Sequence, residues 1–259
     1  MCIRDRLYYF GMEIIGRSAQ MAALRARVAR VAPLQTPVLI TGETGTGKDV
    51  VAAAIHKAGP RAAHRLLTFD VSGVPESKFA GEFFGRAPAG TAAATRGWLE
   101  EAKGSSVLFS HVHLWPRALQ PALLRVLRER AYVRAGECRL VPVDARIIVT
   151  TSADPDTLLA DGAFSETLYR ALSVDTLHVP PLRERVEDIP LLARYFLDRH
   201  ARDYRKEITG FVPAALSILT SYPWPGNVRE LINVVERAAI FCTNKRIAPD
   251  DVAPLLQPR

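Results

Sequence analysis

Residues 37–59 read PVLITGETGTGKDVVAAAIHKAG, and the fold turns on how this stretch divides. Val38-Leu39-Ile40 is a short apolar run between Pro37 and a glycine-rich segment, which reads as a buried strand. The segment from Lys48 onward reads as a helix. Between them, Gly42-Glu43-Thr44-Gly45-Thr46-Gly47-Lys48 fits the pattern G-x-x-x-x-G-K. Glycines let successive backbone N–H groups turn inward around a polyphosphate. The helix N-terminus adds positive potential, and the lysine reaches the β and γ oxygens. A strand before and a helix after are the context that separates this motif from a chance glycine-rich turn. Asp49 stands where most such loops place a Ser or Thr that ligates magnesium. A carboxylate also holds a cation, directly or through water, so nucleotide binding survives the change.

The same alternation extends outward. GRSAQMAALRARVARVA has apolar residues at Met21, Leu24, Val28 and Val31, a helical spacing that ends before Pro33. LLTFDVSG and SSVLFSHV read as strands, PESKFAGEFFG as a helix, and RAPAGTAAATRG as a small-residue loop. LQPALLRVLRERAYV is predicted to be an amphipathic helix with Leu119, Leu123, Val126 and Leu127 on one face. ARIIVTTSA is a continuous β-branched run of the kind covered on both faces, and VDTLHVPPL adds a further strand. Strands alternating with helices imply a parallel α/β sheet. Beyond Pro180-Pro181 the strand signals stop, and DIPLLARYFLDRHARDY, PAALSILTSY and NVRELINVVERAAIFC predict a small α-helical domain.

At 259 residues and 48% hydrophobic composition the chain supports one large domain with a small appendage. No apolar run approaches the length of a membrane span. Cys2, Cys138 and Cys242 are scattered without metal-ligand or disulfide spacing, which fits a reducing cytoplasm. The net charge of +7 permits contact with nucleic acid. Yet the arginines are spread from Arg4 to Arg259 without a block of like charge, and clustering is the footprint of a nucleic-acid face. MCIRDR at the start has no apolar periodicity and looks like a translated sequencing adapter. Residues 1–12 are therefore read as an adapter-derived scar and linker remnant, outside the fold, and on that reading the natural protein is longer.

GETGTGKD, LFSHVHLWPRALQPALLRVLRE, PPLRERVEDIPLLARYF and SYPWPGNVRELINVVERA, in this order, resemble the AAA+ domain of bacterial sigma-54-dependent enhancer-binding transcriptional regulators. The resemblance covers about Ile14 to Leu256. It implies an α/β fold, the three-layer parallel P-loop sheet of an AAA+ domain over residues 13–182, followed by a small α-helical lid over 183–259. It implies ATP or ADP held by Gly42, Glu43, Thr44, Gly45, Thr46, Gly47, Lys48 and Asp49, with Arg229 of WPGNVREL as the lid arginine that reaches the phosphates. It also implies assembly into a ring, a hexamer or a mixed ring with an active homologue, and an RNA polymerase holoenzyme as partner. Arg183 and Arg185, with Glu184, are expected to organise the hinge between the two parts.

Several parts of that machinery depart from the family pattern. The acid pair that handles magnesium and water occupies the positions of Ser110 and His111, so Mg2+ is expected to be weakly held and no confident catalytic residue remains. The family arginines that reach a neighbour's nucleotide are replaced by Ser165 and Ala171. Arg170 lies one place early, about 100° around a helix. Ser152 replaces the sensing asparagine, and Asp70 stands where the family couples an asparagine to its catalytic glutamate. Between Gly85 and Gly97 the GAFTGA loop that contacts sigma-54 is missing. His111 and His113 would share one side of a strand, which suggests a metal pair, but no third ligand is evident and a structural role is preferred. The chain stops too soon after LLQPR for the helix-turn-helix domain of the family, and no DNA-binding domain is expected in it. The resulting expectation is an ATP-binding regulator domain with hydrolysis and sigma-54 remodelling lost or weak. The alternatives are an active ATPase that activates sigma-54 RNA polymerase at promoters, using displaced residues such as His111 and Arg170, and a structural protein with a vestigial nucleotide site.

Overall fold

A computed structural model describes residues 13–88, 94–134, 137, 139–162 and 164–256. The suspected scar, Cys2, Cys138 and the middle of the RAPAGTAAATR loop lie outside the described residues.

In chain order the elements are α1 (Ala19–Val31), β1 (Val38–Thr41), α2 (Lys48–Lys57), β2 (Leu67–Asp70), α3 (Glu76–Phe84), α4 (Trp98–Glu101), β3 (Ser106–Ser110), α5 (Gln120–Glu129), β4 (Ala131–Val133), β5 (Leu140–Pro142), β6 (Arg146–Thr151), α6 (Pro155–Ala160), α7 (Glu166–Leu172), β7 (Asp175–His178), α8 (Ile189–Asp203), α9 (Pro213–Ser221), α10 (Asn227–Phe241) and α11 (Pro249–Val252). β2, β3, β6, β1 and β7 pair in that order as an all-parallel sheet. The burial of each strand follows its place. Every residue of β1, β3 and β6 is buried, whereas the edge strand β2 is half-buried throughout. No described helix is long and apolar enough to cross a membrane.

By their contacts the residues form two compact units. The first joins Ala26–Thr41 to Lys48–His178. The second gathers Glu13–Arg25, Gly42–Gly47 and the residues from Val179 onward. The second unit gathers stretches far apart in the chain, and long-range hydrogen bonds join them. Asp188, fully buried, accepts from the backbone N–H of Arg17 and Ser18 and from the Ser18 hydroxyl at 2.6, 2.9 and 2.7 Å. Those bonds tie the start of α1 to the helical unit.

The core of the first unit is aromatic. Phe83, fully buried, meets Trp115 edge-on with ring centroids 4.5 Å apart, and Phe79 meets the same indole at 4.7 Å. Arg146 opens β6 yet is buried. Its guanidinium donates to the carbonyls of Val31 and Ala32 at 2.6 Å each, satisfying the end of α1.

Two expectations need correction. LQPALLRVLRERAYV is not one helix: α5 stops at Glu129, Arg130 takes left-handed φ 54°, and Ala131–Val133 turns back as a strand paired with Leu140–Pro142. Tyr132 thereby enters the core. The strand SSVLFSHV also ends early, at Ser110, because His111 adopts φ 60°, ψ 44° and Val112–Leu114 forms a 3-10 turn. His111 and His113 therefore do not share a strand face.

His56 on α2 is buried with both ring nitrogens engaged. Nε2 lies 2.8 Å from the His64 carbonyl, which can only accept, so Nε2 carries the hydrogen. Nδ1, at 2.9 Å, accepts from the Ser106 hydroxyl. Burial pushes the pKa of His56 below its ordinary 6.5. The unfolded chain then takes up a proton before the folded one does. The stabilisation is full above the unfolded value and is lost as pH falls through the folded one. Urea midpoints are expected to drop between about pH 7 and about pH 5, and His56→Gln to remove part of that drop. An unchanged slope in the variant would contradict this account.

Candidate functional site

Within the helical unit, the loop Gly42–Gly47 is fixed by the segment that follows Val179. Glu43 receives both guanidinium nitrogens of Arg183, at 2.5 and 2.8 Å, and the Asn227 side-chain amide at 3.0 Å. The Thr44 carbonyl accepts from Asn227 Nδ2 at 3.1 Å, the Gly45 carbonyl from the Arg229 N–H at 3.2 Å, and the Thr46 carbonyl from Arg185 Nη2 at 2.9 Å. Arg183 and Arg185, expected at a hinge, thus hold the loop itself. Gly42, Gly45 and Gly47 have φ of 145°, 82° and 101°. Gly45 is the most constrained, since a Cβ there would stand 2.2 Å from the Gly226 carbonyl oxygen. At Gly47 the corresponding space is open. Arg229 is exposed near the start of α10, its side chain directed into none of these bonds.

In the first unit, Lys48 and Asp49 open α2, and the C-terminal ends of β2 and β3 bring the remaining candidates together. Asp70 and Ser110 are register partners at the ends of these strands. That edge is where parallel α/β sheets place ligands. The Ser110 hydroxyl donates to Asp49 Oδ1 at 3.3 Å. Next to it, His111 Nδ1 lies 3.0 Å from Asp70 Oδ1, which also accepts from the Ser72 hydroxyl and N–H at 2.6 and 3.0 Å. The hydrogen bond from His111, helped by those from Ser72, holds the Asp70 carboxyl well below the usual carboxylate range against the opposing effect of burial. His113 goes elsewhere, to Thr151 Oγ1 at 3.0 Å, and burial lowers its pKa. Among the described residues no three His, Cys, Asp or Glu side chains are grouped to hold a metal ion. Ser152 directly follows β6, half-buried.

The substitutions read from the sequence as separate losses are paired in space. The Ser110 hydroxyl stands 3.3 Å from the Asp49 carboxylate, and His111 Nδ1 stands 3.0 Å from that of Asp70. Two carboxylates, those of Asp49 and Asp70, thus lie beside Ser110 and His111. Sequence reading noted Asp49 and Asp70 singly. It missed the pairing because the contacts span 61 and 41 residues. It missed Asn227 as a loop contact for a related reason: its direction depends on a left-handed backbone, φ 54°.

On the α7 face, Arg170 is exposed and ion-paired at 2.6 Å with Glu166 of the same helix. Ser165 occupies the N-cap position of α7 without a capping bond from its side chain, and Ala171 lies in the last turn. At the base of the loop between Gly85 and Gly97, Arg86 and Thr95 form an antiparallel bridge. A Cβ on Gly85 or Gly97 would clash at 2.5 Å or less with the backbone beside it.

A parallel sheet whose inner strand β1 runs into a glycine loop and then a helix, continued in sequence by a set of helices, defines a P-loop AAA+ domain with a helical lid. A family model described as the sigma-54 interaction domain matches residues 14–178, and one for the AAA+ ATPase lid domain matches 183–259. The chain belongs to the sigma-54 interaction domain family. It is 40% identical over 242 residues to the transcriptional regulatory protein ZraR of Klebsiella oxytoca, covering 92% of this chain and 54% of that protein. It is 37% identical over 247 residues to the regulatory protein AtoC of Escherichia coli K12, covering 94% and 54%. The chain thus spans about half the length of the curated relatives it matches. Among solved structures, NtrX from Brucella abortus in complex with ATP superposes with a TM-score of 0.86 at 34% identity, over 96% of this chain and 58% of that one. The same protein in complex with ADP gives 0.85 at 32% identity, over 99% and 59%.

Proposed function

We propose that this chain is the nucleotide-binding domain of a sigma-54-interaction-type transcriptional regulator of the cytoplasm, holding ATP or ADP on Gly42–Asp49 and cleaving it at background rate. The carrying observation is the loop itself: three glycines at positive φ between a buried strand and a helix that begins with Lys48. The NtrX complexes with ATP and ADP support the choice of ligand. Arg229 is the candidate for the outer phosphates. Ring assembly, as a hexamer or mixed with an active homologue, and contact with RNA polymerase holoenzyme belong to the same proposal.

The donor set also fits a magnesium ion. Mg2+ takes hard oxygens and is commonly held by one or two carboxylates together with substrate phosphates and water. Asp49 and Ser110 offer one carboxylate and one hydroxyl beside each other. A bound Mg2+ would neutralise phosphate charge there. Hydrolysis is a separate matter. Neither Ser110 nor His111 supplies the second carboxylate that polarises water in the family. Ser165 and Ala171 supply no arginine to a neighbouring site, and Arg170 pairs on the surface with Glu166 of its own helix.

One observation favours a second reading with turnover. Asp70 engages Nδ1 of His111, and in the tautomer with hydrogen on Nδ1 the other ring nitrogen can accept a proton, a base oriented by a third group. Titrating a fluorescent ADP analogue and following phosphate release from ATP separates the possibilities. Saturable binding with release at the buffer rate is the expected result. Brisk magnesium-dependent release abolished by His111→Ala would replace it with the second reading. No retained nucleotide at all would leave a structural protein.

A further inference from the structure

The loop is held from behind in an unusually complete way. Three consecutive carbonyls, those of Thr44, Gly45 and Thr46, each accept a hydrogen bond from the segment after Val179: the Asn227 side chain, the Arg229 backbone and the Arg185 guanidinium. In a planar trans peptide the C=O and the following N–H point in opposite directions. Anchoring the Thr44 carbonyl on one side therefore aims the Gly45 N–H to the other, and anchoring Thr46 does the same for the Gly47 N–H. Space is open beside Gly47, where a side chain would stand. The Thr46 N–H between them turns back to the Glu43 carbonyl at 3.4 Å, so the Gly45 and Gly47 N–H groups are the two left to face an anion.

The two anchoring side chains are costly to build. Asn227 is fully buried in a left-handed conformation, and its orientation is forced: Oδ1 accepts from the Leu182 N–H at 2.8 Å, leaving Nδ2 for Thr44 and Glu43. Arg185 is a buried cation that also makes a weak bond to the Met21 sulfur, while its Nε has no hydrogen-bond partner among the described residues. A cation behind the loop also adds positive potential there.

We propose that Asn227 and Arg185 are positioning residues for a nucleoside polyphosphate, setting the direction of the loop amides from the helical unit. This rests on the nucleotide reading above. It places control of phosphate affinity in residues that never touch the phosphates.

Asn227→Asp keeps the acceptor for Leu182, removes the donor to Thr44 and Glu43 and sets a carboxylate against Glu43, so the positioning role is read from loop amide exchange without nucleotide together with affinity. Arg185→Gln removes the cation, and Arg185→Lys retains a cation able to reach Thr46. Affinities for ADP and AMP, melting temperatures and amide exchange over the loop without nucleotide are measured in the full chain. Asn227→Asp and Arg185→Gln are expected to lose about tenfold or more in ADP affinity with a smaller loss for AMP, the worth of one charge-assisted bond. Loop amides should exchange faster while β3 and β6 stay protected. Arg185→Lys should fall between, and it serves as the test if Arg185→Gln does not fold. Wild-type protein that binds no ADP sinks the nucleotide reading and this one with it. Wild-type binding matched by all folded variants sinks the positioning role alone.

Discussion

In a chain carrying Asp49→Ser, Asp70→Asn, Ser110→Asp and His111→Glu together, phosphate release is expected to rise by about 10²- to 10⁴-fold over the parent, the usual worth of a positioned general base. All four changes are needed because of the two contacts in the first unit. Ser110→Asp alone would set a second carboxylate against Asp49 at a buried strand end, where Ser110 now sits 3.3 Å away. Like charges that close cannot both ionise readily without a cation between them. His111→Glu alone would face Asp70, which now accepts from the histidine. Moving the carboxylates back removes both repulsions. Glutamate at 111 must still accept the left-handed backbone of His111, a strain of about 1–2 kcal/mol. The rate should remain far below that of a complete machine, since an arginine donated by a neighbour contributes about 10³- to 10⁵-fold and positions 165 and 171 supply none. A variant that binds nucleotide yet releases no more phosphate than the parent would show that the displaced carboxylates are not what limits hydrolysis. A parent faster than the variant would identify the Asp70–His111 pair as a working base.

Lys48→Ala should weaken ATP and ADP binding by about 10- to 150-fold, corresponding to about 1.5–3 kcal/mol for hydrogen bonds from a cation to phosphate oxygens. The residue opens α2 directly after Gly47. Its charge also reaches His113 near the sheet edge, where it helps to lower that histidine's pKa. The loop's anchors, Arg183, Arg185 and Asn227, do not involve the lysine. Isothermal titration of both proteins with ADP is the check. Equal affinity and unchanged assembly would assign the chain to the structural reading instead.

The strands β1, β3, β6 and the long helices of the second unit were legible because apolar runs and helical spacing are local signals. The turn at Arg130 was not. RERAYV continues a helical composition, and the chain leaves the helix because Tyr132 fills a buried position in the aromatic core of the first unit. His111 misled for the same reason in reverse: VLFSHVH alternates like a strand, but the contact with Asp70 accompanies a left-handed residue at that point. Substituted site positions could be named from the sequence. What replaced them in space could not.

Order along the chain was enough to determine the glycine loop, the parallel sheet, the helical continuation and the identities of the altered site residues, since each rests on neighbours within a few positions. Tertiary structure alone decided that Asp49 belongs with Ser110 and Asp70 with His111, and that Arg185 and Asn227 hold the loop from far along the chain. Hydrogen bonds of this kind depend on directions set to a few tenths of an ångström by backbone dihedrals and burial, and a linear string of residue types does not carry those directions.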